Sequence, residues 1–195
     1  MSRTTEPAGP WRPTPAQVAA AQGRTVPDVI APGLRVLFVG INPGLYSGAV
    51  GHHSARPGNR FWRALHGSGL TPGLLSPFAE RELLRHGLGI TNLVERATAG
   101  AAELGRGELR EGAARVRRKL SRFRPSHVAF LGMGAFRIGF DRPDATVGPQ
   151  PDRLGPSNVW VLPNPSGLNA HYQLPNLIRE FARLRAAALG SAPHG

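Results

Sequence analysis

Residues 36–44 read Val-Leu-Phe-Val-Gly-Ile-Asn-Pro-Gly, an apolar, β-branched run that ends in a turn with a single amide side chain. A short apolar run bounded by turn residues is typical of a buried strand in an α/β protein. Residues 159–167, Val-Trp-Val-Leu-Pro-Asn-Pro-Ser-Gly, repeat this design near the other end of the chain. Open α/β sheets bind their ligands beyond the carboxyl ends of the strands. We therefore predict that the two turns lie at one edge of a single sheet and form a site.

Strand-like and helix-like segments alternate from residue 29 onward. Apolar runs predict strands at 36–39, 89–94, 127–132 and 159–162, and helical periodicity predicts helices at 59–68, 77–86, 108–123, 133–140 and 174–189. Residues 141–156 are rich in Pro, Gly and Asp and are expected to form a loop or a hairpin. This alternation predicts an α/β fold, a three-layer open sheet with a mainly parallel four-stranded core flanked by helices.

The chain of 195 residues is long enough for one domain with a sizeable core. Residues 1–28 are rich in Pro, Gly, Ala and Thr, and we expect a flexible N-terminal arm there, with at most a short helix capped by Thr14. Residues 29–190 are predicted to form a single α/β domain, and residues 191–195 a disordered tail.

The formal net charge is +12, from 24 Lys and Arg against 12 Asp and Glu. This balance favours a polyanion such as nucleic acid as the partner. Because the chain contains no cysteine, it has no disulfide framework, thiol nucleophile or cysteine-bound iron–sulfur cluster. No apolar stretch approaches the roughly 18 to 20 residues of a membrane span, and we expect no signal peptide. We expect a cytoplasmic protein that acts as a monomer and does not bind membranes.

Amide side chains stand where three of the predicted strands end: Asn42, Asn92, and Asn164 with Ser166 two residues later. None of these three turns carries a carboxylate. An amide offers one acceptor and two donors, which match the Watson–Crick edge of uracil or thymine. Convergent amides therefore favour recognition of a neutral heterocycle. The alternative is a structural role in which Asn42 satisfies the backbone of an ordinary β-turn.

The adjacent pair His52 and His53 raises the question of a metal site. Neighbouring side chains of an extended segment point apart, and no Asp or Glu lies close by in the sequence, so we expect no metal and no cofactor. Binding of a base or a phosphate by one of the two histidines is favoured instead. Glu95 is followed by Arg96, and we expect these two to form an ion pair or to cap a turn.

Four segments in this order resemble the motifs of the mismatch-specific uracil/thymine DNA glycosylases, a family of the uracil-DNA glycosylase superfamily. They are Gly-Ile-Asn-Pro-Gly at 40–44, Gly-Asn-Arg-Phe-Trp at 58–62, Ile-Thr-Asn-Leu-Val-Glu-Arg at 90–96 and Leu-Pro-Asn-Pro-Ser-Gly-Leu-Asn at 162–169. The resemblance spans roughly residues 30–189 and implies a uracil-DNA glycosylase-like fold. The absence of an Asp-Pro-Tyr-His loop differs from the classical uracil-DNA glycosylases, and the absence of cysteine differs from their iron–sulfur relatives.

The resemblance implies an enzyme of base excision repair that binds double-stranded DNA with G:U or G:T mismatches. Such an enzyme flips the target nucleotide and hydrolyses the bond between C1′ and the base. We expect uracil opposite guanine as the first substrate, with thymine or modified pyrimidines as further candidates. Lys119, the only lysine, lies on a predicted surface helix away from the three turns, so no amine is expected at the site and the glycosylase should be monofunctional.

The resemblance also assigns roles to residues around the first turn. Asn42 would hold the attacking water through its side-chain carbonyl, with help from the hydroxyl of Thr98. The backbone from Ile41 to Gly44 would stabilise the departing base as an anion. Asn92 would read the pyrimidine edge, and His53 would donate to the base or to a flanking phosphate.

Two further positions follow from the resemblance. Ser54 stands where relatives carry an aromatic ring that stacks on the flipped base, and stacking is worth roughly 1 to 3 kcal/mol per base. The last motif matches a loop that enters the duplex from the minor groove, with Leu168 as the wedge that fills the vacated space. Its other predicted DNA contacts are Asn164, Ser166, Gly167 and Asn169.

Three other functions remain open from the sequence. The first is a non-catalytic DNA-binding module with the same fold and the same basic surface. The second is a glycosylase that favours deaminated purines such as hypoxanthine or xanthine. The third is an α/β protein that acts on a free nucleotide or a small heterocycle, which would lack the steep salt dependence of DNA binding.

Overall fold

A computed structural model describes residues 11–190 and contains a five-stranded sheet in the order β2-β1-β3-β5-β4. The strands are β1 (Val36–Gly40), β2 (Leu88–Asn92), β3 (His127–Leu131), β4 (Gly148–Leu154) and β5 (Ser157–Leu162). Strands β1, β2, β3 and β5 are parallel, and β4 joins the edge antiparallel to β5. The carboxyl ends of the four parallel strands therefore meet at one edge, where ligands bind in sheets of this kind.

Helices cover both faces of the sheet. They are α1 (Pro15–Ala19), α2 (Leu45–Val50), α3 (Phe61–Gly67), a 3-10 helix (Pro77–His86), a 3-10 turn (Ala101–Glu103), α4 (Arg106–Phe123), α5 (Met133–Gly139) and α6 (Leu174–Leu189). Among the described residues, no helix combines the length and the apolar character that crossing a membrane requires. The arrangement is the three-layer α/β fold with a mainly parallel core that the sequence predicts.

The interior strand β1 is apolar on both faces because helices pack on both. Phe38 faces α3 and α6, where its ring lies 5.3 Å from that of Phe61 and 5.9 Å from that of Phe181. Leu37 and Val39 face the other way, into the cluster that α4 and α5 cover. Such two-sided burial is why a strand in a parallel sheet reads as a continuous hydrophobic run. Gly40 at its end is paired with Asn92, so β1 and β2 end side by side.

The structure differs from the sequence prediction in four elements. The segment predicted as a loop or hairpin at 141–156 contains strand β4, which forms a hairpin with β5 and adds a fifth strand. Helix α2 follows the first turn directly and was not predicted. The helix expected at 77–86 is of the 3-10 type, with a kink at Ala79. Residues 21–28 of the expected flexible arm pack against the domain, where Ala21 and Val26 are buried.

The N-terminal segment attaches close to the first turn. Ala21 is fully buried, the N–H of Gly23 donates to the carbonyl of Ala97 at 2.9 Å, and the N–H of Ala97 donates to Arg24 at 2.7 Å. Thr14 caps α1, as its sequence indicates. The first ten residues of the expected arm and the expected tail at 191–195 lie outside the described residues.

Lys119 is not on a solvated helix face. Its Nζ lies 2.6 Å from Asp28 and 3.6 Å from Glu95, and it donates to the hydroxyl of Thr91 at 3.0 Å. The side chain is only 18% exposed. The amine is therefore held by its ion pairs, and Lys119 is not among the residues that line the pocket described below.

Close approach of α4 to the end of β2 depends on Gly112. A Cβ at this position would overlap the carbonyl oxygen of Leu93, a backbone atom that cannot rotate away. We expect Gly112→Ala to lower the free energy of unfolding by about 2 kcal/mol, as overpacking does. The matched control is Gly107→Ala on the same helix, where nothing lies within 4 Å of an added Cβ. Urea unfolding should show the control as stable as the parent or more so; equal destabilisation of both variants would contradict the packing argument.

Candidate active site

A pocket of about 510 Å³ opens at the carboxyl edge of the sheet. Its floor is the turn that follows β1 and the end of β2, and its walls are the segments 53–59, 98–102 and 164–169. All the site residues predicted from the sequence line this pocket except Gly167: Ile41, Asn42, Gly44, His53, Ser54, Asn92, Thr98, Asn164, Ser166, Leu168 and Asn169. The three turns therefore converge, as the strand order requires.

The side chain of Asn42 is fixed by its nitrogen. Its two N–H groups face three acceptors: Nδ2 lies 2.7 Å from the hydroxyl oxygen of Thr98, 3.0 Å from the carbonyl oxygen of Arg96 and 3.2 Å from that of Pro43. Carbonyl oxygens only accept hydrogen bonds, so this environment allows one orientation of the amide. Within the described part of the chain, Oδ1 has no hydrogen-bond donor. The side chain of Asn42 is thus held in place with its Oδ1 free to accept a hydrogen bond from a ligand in the pocket.

Thr98 completes the support of Asn42. It is 1% exposed, and its hydroxyl donates to the carbonyl of Gly100 at 2.9 Å, which leaves its oxygen to accept from Asn42. Its backbone N–H donates to Pro43 at 3.1 Å, and Gly44 forms a parallel bridge with it. The turn after β1 and the segment that contains Thr98 are therefore one hydrogen-bonded unit, although more than fifty residues separate them in the chain.

The backbone at Arg96 is held by an ion pair. Its Nε lies 2.6 Å from Oε1 of Glu108 and its Nη2 lies 2.9 Å from Oε2, a two-pronged contact. The Arg96 guanidinium lowers the pKa of Glu108 to about 2. The expected pairing of Glu95 with Arg96 is wrong, because Glu95 faces Lys119 and Arg96 faces the first turn of α4.

Asn92 lies beside His53 in the buried part of the pocket. Its Nδ2 is 3.4 Å from Nδ1 of His53, whose Nε2 is 2.9 Å from the carbonyl of Pro27. Because the carbonyl can only accept, the proton of His53 is on Nε2, and Nδ1 accepts from Asn92. A Cβ on Gly40 would lie 2.5 Å from Oδ1 of Asn92, so the glycine gives this amide its room.

A buried carboxylate holds the two histidines. Oε2 of Glu80 accepts from the backbone N–H of His53 at 2.8 Å, and Oε1 lies 2.9 Å from Nδ1 of His52. Glu80 belongs to the 3-10 helix and is 5% exposed. Sequence analysis missed this residue, because it lies 28 positions from His52 in a segment with no motif.

His53 is neutral in this setting. Burial lowers its pKa below the ordinary value of 6.5, and this effect exceeds the opposing influence of the nearby carboxylate of Glu80. A protonated ring would also turn Nδ1 into a donor that faces the amide nitrogen of Asn92. Across residues 11–190, no group of three or more His, Asp or Glu side chains is arranged to hold a metal ion.

No Phe, Tyr or Trp side chain is among the described residues that line the pocket. Ser54, at the expected stacking position, has φ of 51° in the left-handed region, and Tyr46 is not a lining residue. The lining includes Arg56 and Asn59, which sequence analysis did not single out. Both lie in or beside the 58–62 motif, and this motif could have indicated that they line the site.

Arg56 gives the pocket its charge. It is exposed, and of the described lining residues it alone carries a formal charge at neutral pH. It takes part in none of the ion pairs between residues 11 and 190. No Asp or Glu is among these lining residues. The pocket thus combines neutral donors and acceptors with one cation at its edge.

The last wall of the pocket is an irregular loop after β5. Leu168 at its tip is 71% exposed, the highest value of any large apolar side chain in the described chain. Asn164 and Asn169 point into local turns, where Oδ1 of Asn164 accepts from the N–H of Ser166 at 3.0 Å. Gly167 lies outside the lining and against the carbonyl of Gly58, 3.2 Å from where its Cβ would be.

The fold and site define an α/β protein with amide-bearing turns at the carboxyl edge of a parallel sheet, and its net charge of +12 favours a nucleic acid as the partner. A family model described as the uracil DNA glycosylase superfamily matches residues 27–187. The chain belongs to this superfamily. Membership supports a DNA glycosylase, a hydrolase of N-glycosidic bonds that serves DNA repair.

The protonation state of His53 can be measured directly. We expect long-range 1H–15N spectra to show a neutral ring with the proton on Nε2 at pH 7, and a pKa below 6.5. The unfolded chain takes up this proton first as the pH falls, so the contribution of His53 to the free energy of unfolding is present above pH 6.5 and declines below it. The spectrum of His53→Gln assigns the signal. A charged ring at pH 7 would contradict the burial argument.

Proposed function

We propose that this protein is a monofunctional DNA glycosylase that flips uracil out of a guanine mismatch and hydrolyses the bond between the base and C1′. Water supplies a hydroxyl group to C1′ and a proton to the base, so the products are free uracil and an abasic site. The observation that carries the proposal is the Asn42 amide, whose nitrogen faces three acceptors and whose oxygen accepts no hydrogen bond from the described residues. Such an oxygen is suited to hold a water molecule.

The amide of Asn42 supports a particular reaction path. An amide oxygen is too weak a base to remove a proton from water before the bond breaks. We therefore infer that the glycosidic bond breaks first, that the sugar becomes cation-like, and that the positioned water then captures C1′. The base leaves as an anion, and the lack of Asp or Glu among the described lining residues removes the groups that would repel it.

Recognition of the base is assigned to Asn92 and the first turn. The Nδ2 of Asn92 is directed at His53, and its Oδ1 has room because residue 40 is glycine. This amide edge suits the imide edge of uracil. Backbone groups of residues 41–44 supply further polar contacts in the same pocket. His53 does not donate to the base as expected, because its ring N–H is bound to Pro27 and its Nδ1 accepts from Asn92; it orients that amide instead. Thymine and modified pyrimidines are secondary substrates in this proposal.

One observation favours a second substrate class. The small side chain of Ser54 and the lack of Phe, Tyr and Trp among the described lining residues weaken stacking but leave space in the pocket. A larger base of the same polarity, such as hypoxanthine or xanthine, would make use of that space. Single-turnover rates on duplexes with uracil, thymine, hypoxanthine or xanthine opposite each normal base would rank the candidates.

The role of Asn42 is tested by substitution. We expect Asn42→Ala to lower the single-turnover rate of uracil release by about 10²- to 10³-fold, because the water loses its support, and to leave duplex affinity largely unchanged. Alkaline scission of a labelled duplex followed by gel analysis measures the rate. The matched control is Asn158→Ala, an exposed asparagine at the opposite end of a strand. If the parent protein binds the duplex but produces no scission, the chain is a binding module.

The wedge role of Leu168 makes a separate prediction. Removal of this side chain should slow excision from a G:U duplex by roughly tenfold, since burying a leucine is worth about 1.5–3 kcal/mol. Excision from a single strand should change little, because no vacated space has to be filled. Leu74→Ala is the control, as Leu74 is 59% exposed and lies outside the pocket lining. Equal losses on both substrates would remove Leu168 from the wedge role.

A further inference from the structure

The loop of residues 163–172 exposes the apolar side chain of Leu168 to solvent. Leu168 at its tip is 71% exposed. Packing against neighbouring apolar surface would be favourable for such a side chain, and a backbone of fixed shape prevents this. The loop contains no helix or strand. Its shape must come from hydrogen bonds of another kind.

Local turns supply a part of this shape. Asn164 accepts from the N–H of Ser166 at 3.0 Å, Ser166 accepts from the N–H of Leu168 at 3.3 Å, and Asn169 accepts from the N–H of His171 at 3.2 Å. Each of these bonds spans two residues. Such turns bend a short segment but do not fix its position relative to the sheet.

Arg60 supplies the long-range attachment. Its Nε donates to the carbonyl of Pro165 at 3.3 Å, its Nη2 donates to Ser166 at 2.5 Å and to Asn169 at 2.9 Å, and its Nη1 donates to the carbonyl of Tyr172. The backbone N–H of Arg60 also donates to Pro165 at 3.1 Å. The side chain of Arg60 therefore binds both ends and the middle of the loop, although it lies more than a hundred positions earlier in the chain.

The base of this attachment is rigid. Arg60 directly precedes α3, whose first residue Phe61 is fully buried among Phe38 and Phe181. Arg60 itself is 8% exposed and takes part in none of the ion pairs that the described residues form. Its charge is compensated by the carbonyl dipoles of the loop. A planar fork with five N–H groups can serve four carbonyls at once, which a lysine ammonium cannot.

We propose that Arg60 is the positioning residue of the wedge: it holds the 163–172 loop in the shape that presents Leu168 to the duplex. This inference rests on the proposed function, because it concerns the step in which the paired base leaves the helix. Arg60 lies beneath the loop and acts only through it. The rival explanation is that Arg60 stabilises the whole domain and has no particular effect on that step.

The test compares Arg60→Gln and Arg60→Lys with Arg63→Gln, which removes the same charge from an exposed arginine on the adjoining helix α3. We expect Arg60→Gln to slow excision from the G:U duplex by roughly tenfold or more, since hydrogen bonds to a charged group are lost, while excision from single-stranded uracil stays within about twofold. Arg60→Lys should show an intermediate loss. Arg63→Gln should leave the ratio of the two rates at the parent value.

Amide hydrogen exchange gives a readout that does not need activity. Exchange should rise in residues 164–172 of Arg60→Gln and remain at the parent level in α6. In addition, Leu168→Ala combined with Arg60→Gln should be no slower on the duplex than the slower single variant, because both changes remove the same presented side chain.

Three results would overturn the proposal. They are equal losses on duplex and single strand, unchanged exchange in the loop, or loss of protection throughout the domain in both Arg60 variants. Failure of the proposed function would look different, because the parent protein would then release uracil from neither substrate. In that case, the exchange of residues 164–172 alone decides whether Arg60 anchors the loop.

Discussion

The contacts of the Asn42 nitrogen with three hydrogen-bond acceptors are the constraint on which the rest of the site depends. Two of their acceptors are carbonyl oxygens, which leave the amide a single orientation and make its oxygen the free end. The carbonyl of Arg96 is itself placed by the contact of its guanidinium with Glu108, whose carboxylate also accepts from the N–H of Gly105 at the start of α4. The first turn of α4, outside the pocket lining, thus helps to set the orientation of one amide in the pocket.

The sequence predicts the floor of the pocket well because the floor is formed by residues at the ends of strands. Apolar runs mark β1, β2, β3 and β5, and the carboxyl ends of parallel strands must share an edge, which brings Asn42 and Asn92 together. Strand β4 was not predicted, because its sequence, Gly-Pro-Gln-Pro-Asp-Arg-Leu, contains two prolines. Proline is tolerated in an edge strand, because the N–H that it lacks would face solvent there. In the sequence alone, however, two prolines indicate a loop.

The walls of the pocket were less predictable, for a different reason. Glu80 and Arg60 make their defining contacts with residues 27 or more positions away, and no local periodicity reports a partner at that distance. The role of Thr98 came from family resemblance and not from the pattern of residues around it. Only the geometry shows that its hydroxyl donates to Gly100 and so accepts from Asn42.

Two of the pocket walls, the segments 53–59 and 164–169, are each held by one buried charged side chain that is not itself a lining residue. Glu80 binds the histidine segment through both oxygens, and Arg60 binds the loop at 163–172 through its guanidinium. A buried charge is costly without partners, so each wall is most stable in the shape that satisfies all of them. The walls therefore gain fixed shapes without regular secondary structure. Changes in wall residues such as Ser54 can then alter which base fits, while the floor that carries Asn42 remains the same.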